Sequence, residues 1–366
     1  MTLIASLITA QSIASAISVA RLEDLDTTNS LRLMSPGINL GNTMEAIPTE
    51  SSWGNPSPTE AYFKAVSVAG FRSIRIPLAW TQYADANDLI SVKWMAHVTD
   101  VVRMALAAHL YVMINIHWDG GWIQATYPKQ KTVTLKLRRF WSQIAMNFKD
   151  FDSHLLFAGT NEIGVEGVYG PPTGENAEVQ NSFNQTFVET VRSSGGKNAT
   201  RMLVVQGYNT DIDAAVKVNT KMPADSVANR LMMEVHYYSP YNFTLNDKSD
   251  IWQWGKAATD PKATDTWGNE DYVDGQFAKM KAAFIDKGTP VILGEYCAGM
   301  KTRFPAMDRY RKAWDEYVTR SAYSHGIIPM LWDTGGVFDR VNGKLKDPDL
   351  VVRLVQAART SDVTSR

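Results

Sequence analysis

Two glutamates in this chain each follow a run of apolar residues. Glu162 comes directly after LLFAGTN, and Glu295 lies near the end of VILGEY. Two carboxylates that face each other across a cleft can hydrolyse a glycosidic bond, because one donates a proton to the departing oxygen while the other is ionised and attacks the sugar carbon. A separation of ~5 Å gives retention, whereas ~6.5–9.5 Å leaves room for a water and gives inversion. The residues alone leave open both the separation and which glutamate has which role.

Other apolar runs also end in polar or aromatic side chains. These are Arg75, His117, Asn161, His236, Tyr238, Tyr296, Trp332 and Asp333. Arg75 and Tyr238 could keep one carboxylate ionised, by charge and by hydrogen bonding. His117 and Asn161 are suited to binding sugar hydroxyls, and Trp332 offers a face for stacking. The structural alternatives are a salt bridge for Arg75, hydrogen-bonded interior positions for the histidines and a core position for Trp332.

From residue 38 onward, short apolar runs alternate with longer helical patterns. Near-continuous apolar runs are typical of strands that are covered on both faces of a parallel sheet. The predicted strands are 38–44, 73–78, 111–117, 155–161, 201–207, 232–238, 290–296 and 327–333. The helical patterns are clearest at 91–109, 131–149, 178–193, 276–287 and 305–325. This alternation predicts an α/β fold, a (β/α)8 TIM barrel, in which the ends of the fourth and seventh strands face each other across the mouth.

The first twenty residues contain no charged side chain, and their apolar residues recur at roughly helical spacing. This pattern predicts a helix packed on the barrel. A signal-peptide remnant is the alternative, because small residues stand near a possible cleavage point. We therefore divide the chain into an N-terminal segment, 1–30, and a single catalytic barrel, 31–366. A signal remnant and a polymer substrate would both favour secretion to an extracellular or periplasmic location.

Two long connections are predicted at the mouth of the barrel, 163–177 and 239–275. The second contains Trp252, Trp254 and Trp267 in an otherwise polar stretch. The chain has 11 Trp and 14 Tyr, and large aromatic rings suit flat ligands such as sugars. Long connections in a compact domain are usually functional or disordered, so we expect this one to contribute to binding.

The composition argues against several classes of partner. A formal net charge of -1 provides no basic surface for nucleic acid. Apolar runs beyond the first twenty residues are too short to span a membrane. The six histidines form no H-x-H or H-E-x-x-H pair, so neither a metal site nor another cofactor is expected. The single cysteine, Cys297, cannot form an internal disulfide. No oligomeric state follows from these observations.

The strand-end motifs, taken in order, resemble glycoside hydrolase family 5. The motifs are GINLGNTMEA, SIRIPLAW, INIHWDGGW, FAGTNEI, MMEVHYY, VILGEY and MLWDTGG, and the resemblance spans about residues 31–357. It implies that Glu162 is the general acid/base and Glu295 the nucleophile, and that Asn161 binds the 2-hydroxyl of the sugar being cleaved. It implies supporting roles for Arg75 and Tyr238 at the nucleophile, positions in the cleavage subsite for His117 and His236, and a stacking role for Trp332.

Three positions depart from the pattern of this family. Ile163 stands where Pro commonly follows the acid/base, and Ala158 stands where a glutamate is often found. Trp118 replaces a second histidine after His117. None of these changes removes a reacting group. We expect Trp118, together with Trp122, to add aromatic surface beside the cleft.

The resemblance implies endo-acting, retaining hydrolysis of β-1,4-glucosidic bonds in cellulose or mixed-linkage β-glucan. The same chemistry on mannan, xyloglucan or xylan is the alternative within the enzyme class. A carbohydrate-binding barrel without catalysis is the alternative from another class.

Overall fold

The computed structural model describes residues 22–218 and 220–359. Eight parallel strands pair in chain order, and the eighth pairs with the first, so the sheet closes into a barrel. The strands are β1 (Gly37–Leu40), β2 (Ser73–Ile76), β3 (Tyr111–Asn115), β4 (Leu155–Ala158), β5 (Leu203–Gln206), β6 (Leu231–His236), β7 (Val291–Tyr296) and β8 (Ile327–Asp333). All eight predicted strands are present, and the predicted (β/α)8 TIM barrel is confirmed.

Ten α-helices lie among the described residues. They are α1 (Ser30–Met34), α2 (Glu60–Val68), α3 (Val92–Ala107), α4 (Tyr127–Asn147), α5 (Gly174–Ser193), α6 (Ile212–Lys217), α7 (Tyr241–Thr244), α8 (Glu270–Ala283), α9 (Met307–Ser324) and α10 (Pro348–Ala357). The five predicted helices correspond to α3, α4, α5, α8 and α9. Within the described residues, no helix is both long and apolar enough to cross a membrane.

Apolar side chains fill the lower half of the barrel. Met113, Leu156, Met232 and Ile292 belong to one buried cluster, separate from the larger core between strands and helices. Leu25, which precedes α1, packs into this lower cluster and is 1% exposed. The helix expected within the first twenty residues lies outside the described residues. The boundary between residues 30 and 31 stays a prediction.

The upper half of the barrel is polar. Side chains alternate between the two faces of a strand, so Glu234 lies one step above the interior residue Met232, and Asn39 and Arg75 lie one step above Gly37 and Ser73. All three are fully buried. Buried polar groups require partners, and here Arg75 pairs with both Asn39 and Glu234. The interior therefore changes from apolar to ionic towards the carboxyl ends of the strands, where barrel enzymes have their active sites.

The long connection between β6 and α8 is largely structural. Trp254 is buried and donates to the Gly268 carbonyl oxygen at 2.7 Å. Trp252 stacks on Phe304 with ring centroids 5.7 Å apart. Only Trp267 of the three tryptophans is substantially exposed. The expectation that this tryptophan-rich connection binds ligand is not supported for Trp252 and Trp254, because both rings are used to hold the connection in place.

Candidate active site

The structure brings the predicted site residues together at the mouth of the barrel. Hydrogen bonds link six of them, which are Arg75, Asn161, Glu162, His236, Tyr238 and Glu295. His117 and Trp332 stack on each other with centroids 5.6 Å apart and planes 11° apart. Trp118 lies at the rim beside Glu162, and both line the same cavity.

Two strand-end residues singled out in the sequence lie elsewhere. The Tyr296 hydroxyl is within 2.6 Å of the Thr319 hydroxyl of α9, on the outer side of the sheet. Asp333 accepts from Arg340 Nη1 at 2.8 Å. Both side chains therefore stabilise the connection between the barrel and its outer layer.

Glu295 is buried and held at both carboxylate oxygens. Arg75 Nη1 donates to Oε1 at 2.8 Å, and the Tyr238 hydroxyl donates to Oε2 at 2.9 Å. Burial raises the pKa of Glu295, while His236 and Arg75 oppose that rise. Burial and the nearby Glu295 charge raise the pKa of Tyr238 well above its usual range, so its hydroxyl keeps its proton. Glu295 is thus fixed in one orientation as a hydrogen-bond acceptor.

Glu162 is held differently, since its side chain is 42% exposed. His236 Nδ1 lies 2.7 Å from Glu162 Oε1. The backbone of Glu162 is left-handed, with φ of 46°, which is uncommon for a residue with a side chain. Strained backbone of this kind often occurs at active sites. The following residue, Ile163, is buried, and its carbonyl accepts from Asn209 N at 2.8 Å. The departure from Pro at this position therefore leaves the carboxylate in the site.

The two glutamates are close enough for a double displacement. One carboxylate oxygen of each, together with a ring nitrogen of His236, lie within 4.8 Å of one another. Retaining glycosidases have their carboxyl groups about 5–5.5 Å apart, and inverting enzymes require a wider gap. The geometry therefore corresponds to retention.

His236 lies between three carboxylates. Its Nδ1 contacts Glu162 and is 3.7 Å from Glu295 Oε2, while its Nε2 is 3.2 Å from Glu234 Oε1. Burial alone would lower its pKa, but Glu295, Glu162 and Glu234 together raise the pKa of His236 to about 9. The ring is therefore an imidazolium at neutral pH and donates from both nitrogens.

A second layer of buried side chains supports this group. Glu234 Oε2 accepts from Gln206 Nε2 at 2.7 Å. Its Oε1 lies 2.9 Å from Arg75 Nε, which is close enough for an ion pair although the N–H is not aligned for a hydrogen bond. Asn39 Oδ1 accepts from Arg75 Nη1 at 3.0 Å. The sequence analysis missed Glu234, Gln206 and Asn39, although strand alternation within MMEVHYY places Glu234 and His236 on one face.

The nucleophile candidate faces the mouth because β7 is irregular. Ile292 belongs to the interior cluster, so regular alternation turns Gly294 inward and Glu295 outward. The pairing of β7 with β8 shifts register between Leu293 and Tyr296. A Cβ built on Gly294 would lie only 2.0 Å from Glu234 Oε1. Two consecutive residues therefore face the interior, as at other β-bulges that redirect an active-site side chain.

Replacing Gly294 with Ala is expected to displace Glu234 and to loosen both Arg75 and His236. We expect a loss of about 2 kcal/mol in the free energy of unfolding, typical of overpacking a buried site, together with a large fall in kcat. Denaturant unfolding and initial rates measure the two effects. Gly275, within α8, is the matched control because an added Cβ meets no atom within 4 Å. Gly275→Ala should leave activity unchanged, and equal losses in both variants would contradict the proposed packing.

His117 and Trp332 form one wall of the site. Asn115 Nδ2 lies 3.3 Å from His117 Nδ1, which places the single ring proton on Nε2. Burial, with the charges of Arg75 and His236, holds the pKa of His117 well below its usual range. His117 is therefore a neutral donor beside the Trp332 ring, an arrangement suited to a sugar hydroxyl and a sugar face.

Trp118 is 55% exposed and stands on a tight turn. Asp119, at φ of 49°, is buried and accepts from Trp80 N at 2.7 Å and from Trp122 Nε1 at 2.8 Å. Trp122 packs edge-on against Phe140, with centroids 5.8 Å apart. The expectation for Trp118 as added aromatic surface fits its exposure. Trp122 is half-buried and its indole N–H is bound to Asp119, so the expectation for Trp122 stays a prediction.

Glu162, His236 and Glu295 are also the one described group whose composition and spacing could hold a metal ion. A cation would compete with the imidazolium proton of His236 and with the donors on Glu295. Because proton donors already occupy these carboxylates, the group is better suited to reaction with a neutral sugar than to binding a cation.

A (β/α)8 barrel with two carboxylates at this spacing, across a cleft with aromatic walls, defines a glycoside hydrolase. Comparison with protein families agrees: residues 38–336 match the family model Cellulase (glycosyl hydrolase family 5). The chain belongs to glycoside hydrolase family 5.

Relatives and solved structures are similar over most of the chain. A xyloglucan-specific endo-beta-1,4-glucanase from Bacteroides ovatus is 40% identical over 346 residues, covering 88% of this chain and 68% of that protein. Endoglucanase A from Paenibacillus barcinonensis is 34% identical, covering 93% of this chain and 92% of the relative. The solved Bacteroides ovatus xyloglucanase with a heptasaccharide has a TM-score of 0.88 at 37% identity, covering 92% of this chain and 77% of that chain.

Proposed function

We propose that this protein is a retaining endo-β-1,4-glucanase that uses Glu295 as nucleophile and Glu162 as acid/base. The observation that carries the proposal is the distance between the two glutamates, whose nearest carboxylate oxygens lie within 4.8 Å. Its support is the difference between their surroundings: Glu295 is buried and held by Arg75 and Tyr238, whereas Glu162 is partly exposed.

In the first step Glu295 attacks the anomeric carbon and forms a glycosyl ester. Arg75 and Tyr238 hold the carboxylate so that one oxygen can approach the sugar. The glycosidic C–O bond breaks as Glu162 transfers its proton to the leaving oxygen.

In the second step a water attacks the same carbon and releases Glu295. Glu162, now ionised, accepts a proton from that water and returns to its starting state. His236 remains hydrogen-bonded to Glu162 at 2.7 Å and keeps the acid/base in place through both steps. Two inversions at one carbon give net retention.

The surroundings of Glu162 and Trp332 suggest the direction of the substrate. Glu162 and Trp118 line a cavity of about 440 Å³, together with the connection after β4. The protonated oxygen leaves with the reducing-end part of the chain, so this cavity suits the leaving group. Trp332, on another wall of the site, suits the non-reducing part. It also lines a cavity of about 520 Å³ that extends towards α9 and α10.

Replacing Tyr238 with Phe is expected to shift the pH dependence of activity. The hydroxyl of Tyr238 lowers the pKa of Glu295, so its removal raises that pKa. Glu295 must be ionised to attack, and activity is lost as pH falls through its pKa. The acidic limb of kcat/KM should therefore move to higher pH by about 1 unit, the size of one hydrogen bond to a charge. A profile of kcat/KM between pH 4 and 9 measures this, and an unchanged acidic limb would count against Glu295 as the ionised nucleophile.

Xyloglucan is a second candidate substrate with the same β-1,4-glucan backbone. The specific observation in its favour is the 40% identity to a relative named as xyloglucan-specific. The cavity of about 440 Å³ beside Glu162 also provides room for side-chain sugars on the leaving-group side of the cleaved bond. We place xyloglucan beside cellulose and mixed-linkage β-glucan, and ahead of mannan and xylan.

Product analysis tests the proposed function. The enzyme is incubated with carboxymethyl-cellulose, mixed-linkage β-glucan, xyloglucan, mannan and xylan, and the reducing sugars and oligosaccharides are measured. We expect internal cleavage of β-1,4-glucans, and proton NMR should show the β-anomer as the first product. Release of the α-anomer first would mean inversion, and absence of hydrolysis of every β-glucan would overturn the proposal.

We further propose that the enzyme acts outside the cytoplasm, because a β-glucan polysaccharide is too large for uptake and must first be cut into shorter pieces. Fractionation of the native host should find the activity in the medium or periplasm. Activity confined to the cytoplasm would contradict this.

A further inference from the structure

A separate cavity of about 470 Å³ lies between the connection that follows β1 and the start of α3. Glu50, Tyr83, Trp94 and His97 are among its lining residues. It shares none of its lining residues with the cavities lined by Glu162 and by Trp332. Nothing in the proposed mechanism uses it.

An aromatic ring forms one wall of this cavity. Tyr83 stacks on Trp94 with centroids 3.7 Å apart and planes 13° apart. Trp94 is buried and Tyr83 is half-buried, so the stack holds the Tyr83 ring while leaving part of it open. The Tyr83 hydroxyl also accepts from Glu50 N at 2.9 Å. The ring is therefore a fixed apolar surface that needs no ordering when a ligand binds.

Two of the side chains that line this cavity each have a buried polar atom without a hydrogen-bond partner among the described residues. His97 Nε2 lies 2.8 Å from Glu50 Oε2, which orients the carboxylate. The other oxygen, Glu50 Oε1, and the indole Nε1 of Trp94 are buried and have no hydrogen-bond partner among the described residues. Buried polar atoms without partners are rare in folded proteins and call for an explanation. Here one is an acceptor and the other a donor.

The chemistry of these atoms restricts the class of ligand. A cation would leave the Trp94 N–H unpaired, and an anion would meet the Glu50 carboxylate, although Lys93 also lines the cavity. A purely apolar ligand would leave both atoms unpaired, at a cost. A hydroxyl group both donates and accepts, and a pyranose ring combines several hydroxyls with an apolar face that stacks on aromatic rings.

We propose that this cavity is a second carbohydrate site, which binds one sugar unit of the polysaccharide away from the bond being cleaved. The Tyr83 ring stacks on the sugar, Glu50 Oε1 accepts from one hydroxyl, and Trp94 Nε1 donates to another. The identity of the sugar as part of a β-glucan rests on the proposed function. A second contact keeps the polymer near the catalytic cleft by raising its effective concentration.

Affinity gel electrophoresis tests this site. The Glu295→Gln enzyme, which should not consume the polymer, is run through gels that contain mixed-linkage β-glucan or xyloglucan. Adding Tyr83→Ala should weaken retardation about fivefold, the size of one lost aromatic contact. Adding Glu50→Gln should weaken retardation similarly, because the amide NH₂ group can stand where Glu50 Oε1 accepts from the sugar. Tyr83→Phe is the matched comparison: it keeps the ring and loses only the contact with Glu50 N, so it should weaken retardation less than Tyr83→Ala does.

A second measurement separates binding from folding and from catalysis. With Glu295 intact, the Tyr83→Ala and Glu50→Gln enzymes should hydrolyse a short aryl cellobioside at the normal rate. If Tyr83→Ala loses this activity, its fold is disturbed, and the gel retardation of the Glu50→Gln variant then tests the second site. Unchanged retardation in both variants overturns the second site, even where the unmodified enzyme hydrolyses both polymers. Failure of the unmodified enzyme to hydrolyse either polymer overturns the proposed function instead.

Discussion

Replacing Glu295 with Gln is expected to lower kcat by at least about 10⁴-fold, the scale seen when a nucleophile is removed. An amide cannot form the glycosyl ester, and it has no negative charge to offset the charge of Arg75 or to stabilise the developing positive charge on the sugar. The loss should be the same for polymers and for aryl glycosides, because both react through the same ester. Initial rates on carboxymethyl-cellulose and on an aryl cellobioside measure it.

The variant should remain folded, since Gln can still accept from Arg75 Nη1, which lies 2.8 Å from Glu295 Oε1. Retained oligosaccharide binding would show that the site is intact. Mass spectrometry offers a direct check: a fluorinated activated glycoside should label the unmodified enzyme at Glu295 and leave the variant unlabelled. Substantial residual turnover, or a label on another residue, would place the nucleophile elsewhere.

Replacing Glu162 with Gln should produce a loss that depends on the leaving group. A sugar leaving group needs a proton as it departs, so kcat/KM on β-glucan should fall by about 10²–10⁴-fold, the usual contribution of general acid catalysis. A dinitrophenyl group departs without a proton, so kcat/KM for dinitrophenyl cellobioside should fall far less. The ratio kcat/KM suits this comparison because it reports only the steps up to formation of the ester. None of these steps needs a base.

The later step provides an internal control. Hydrolysis of the ester needs Glu162 as a base, so the dinitrophenyl substrate should show a burst followed by slow turnover. Azide needs no deprotonation and should restore turnover by forming a glycosyl azide. If the two substrate types lose kcat/KM equally, Glu162 is not the acid, and its contact with His236 would be structural only.

Most of the barrel was predictable because its strands are buried on both faces and read as apolar runs. The site followed from that, since residues at the carboxyl ends of parallel strands meet at one mouth. Glu162 and Glu295 could be paired from their strands alone, whereas their roles came from resemblance.

The rest depended on packing that a single sequence does not reveal. Composition could not separate Trp118, which is exposed, from Trp122 and Trp254, whose indole N–H groups are bound within the fold. The register shift in β7 has no sequence signal other than Gly294 beside Glu295. The buried Glu234 was within a quoted motif, but its partners lie on β2 and β5 and become visible only in three dimensions.

The position of His236 makes it a spectroscopic reporter of the reaction cycle. Its ring lies within hydrogen-bonding or ionic range of Glu162, Glu234 and Glu295, and their charges raise its pKa to about 9. Esterification removes the charge of Glu295, so the pKa of His236 should fall while the glycosyl group is attached. In enzyme labelled with ¹⁵N-histidine, the ring resonances should titrate at lower pH once the intermediate is trapped. The proportions of free and glycosylated enzyme could then be measured in a single sample, without measuring any product.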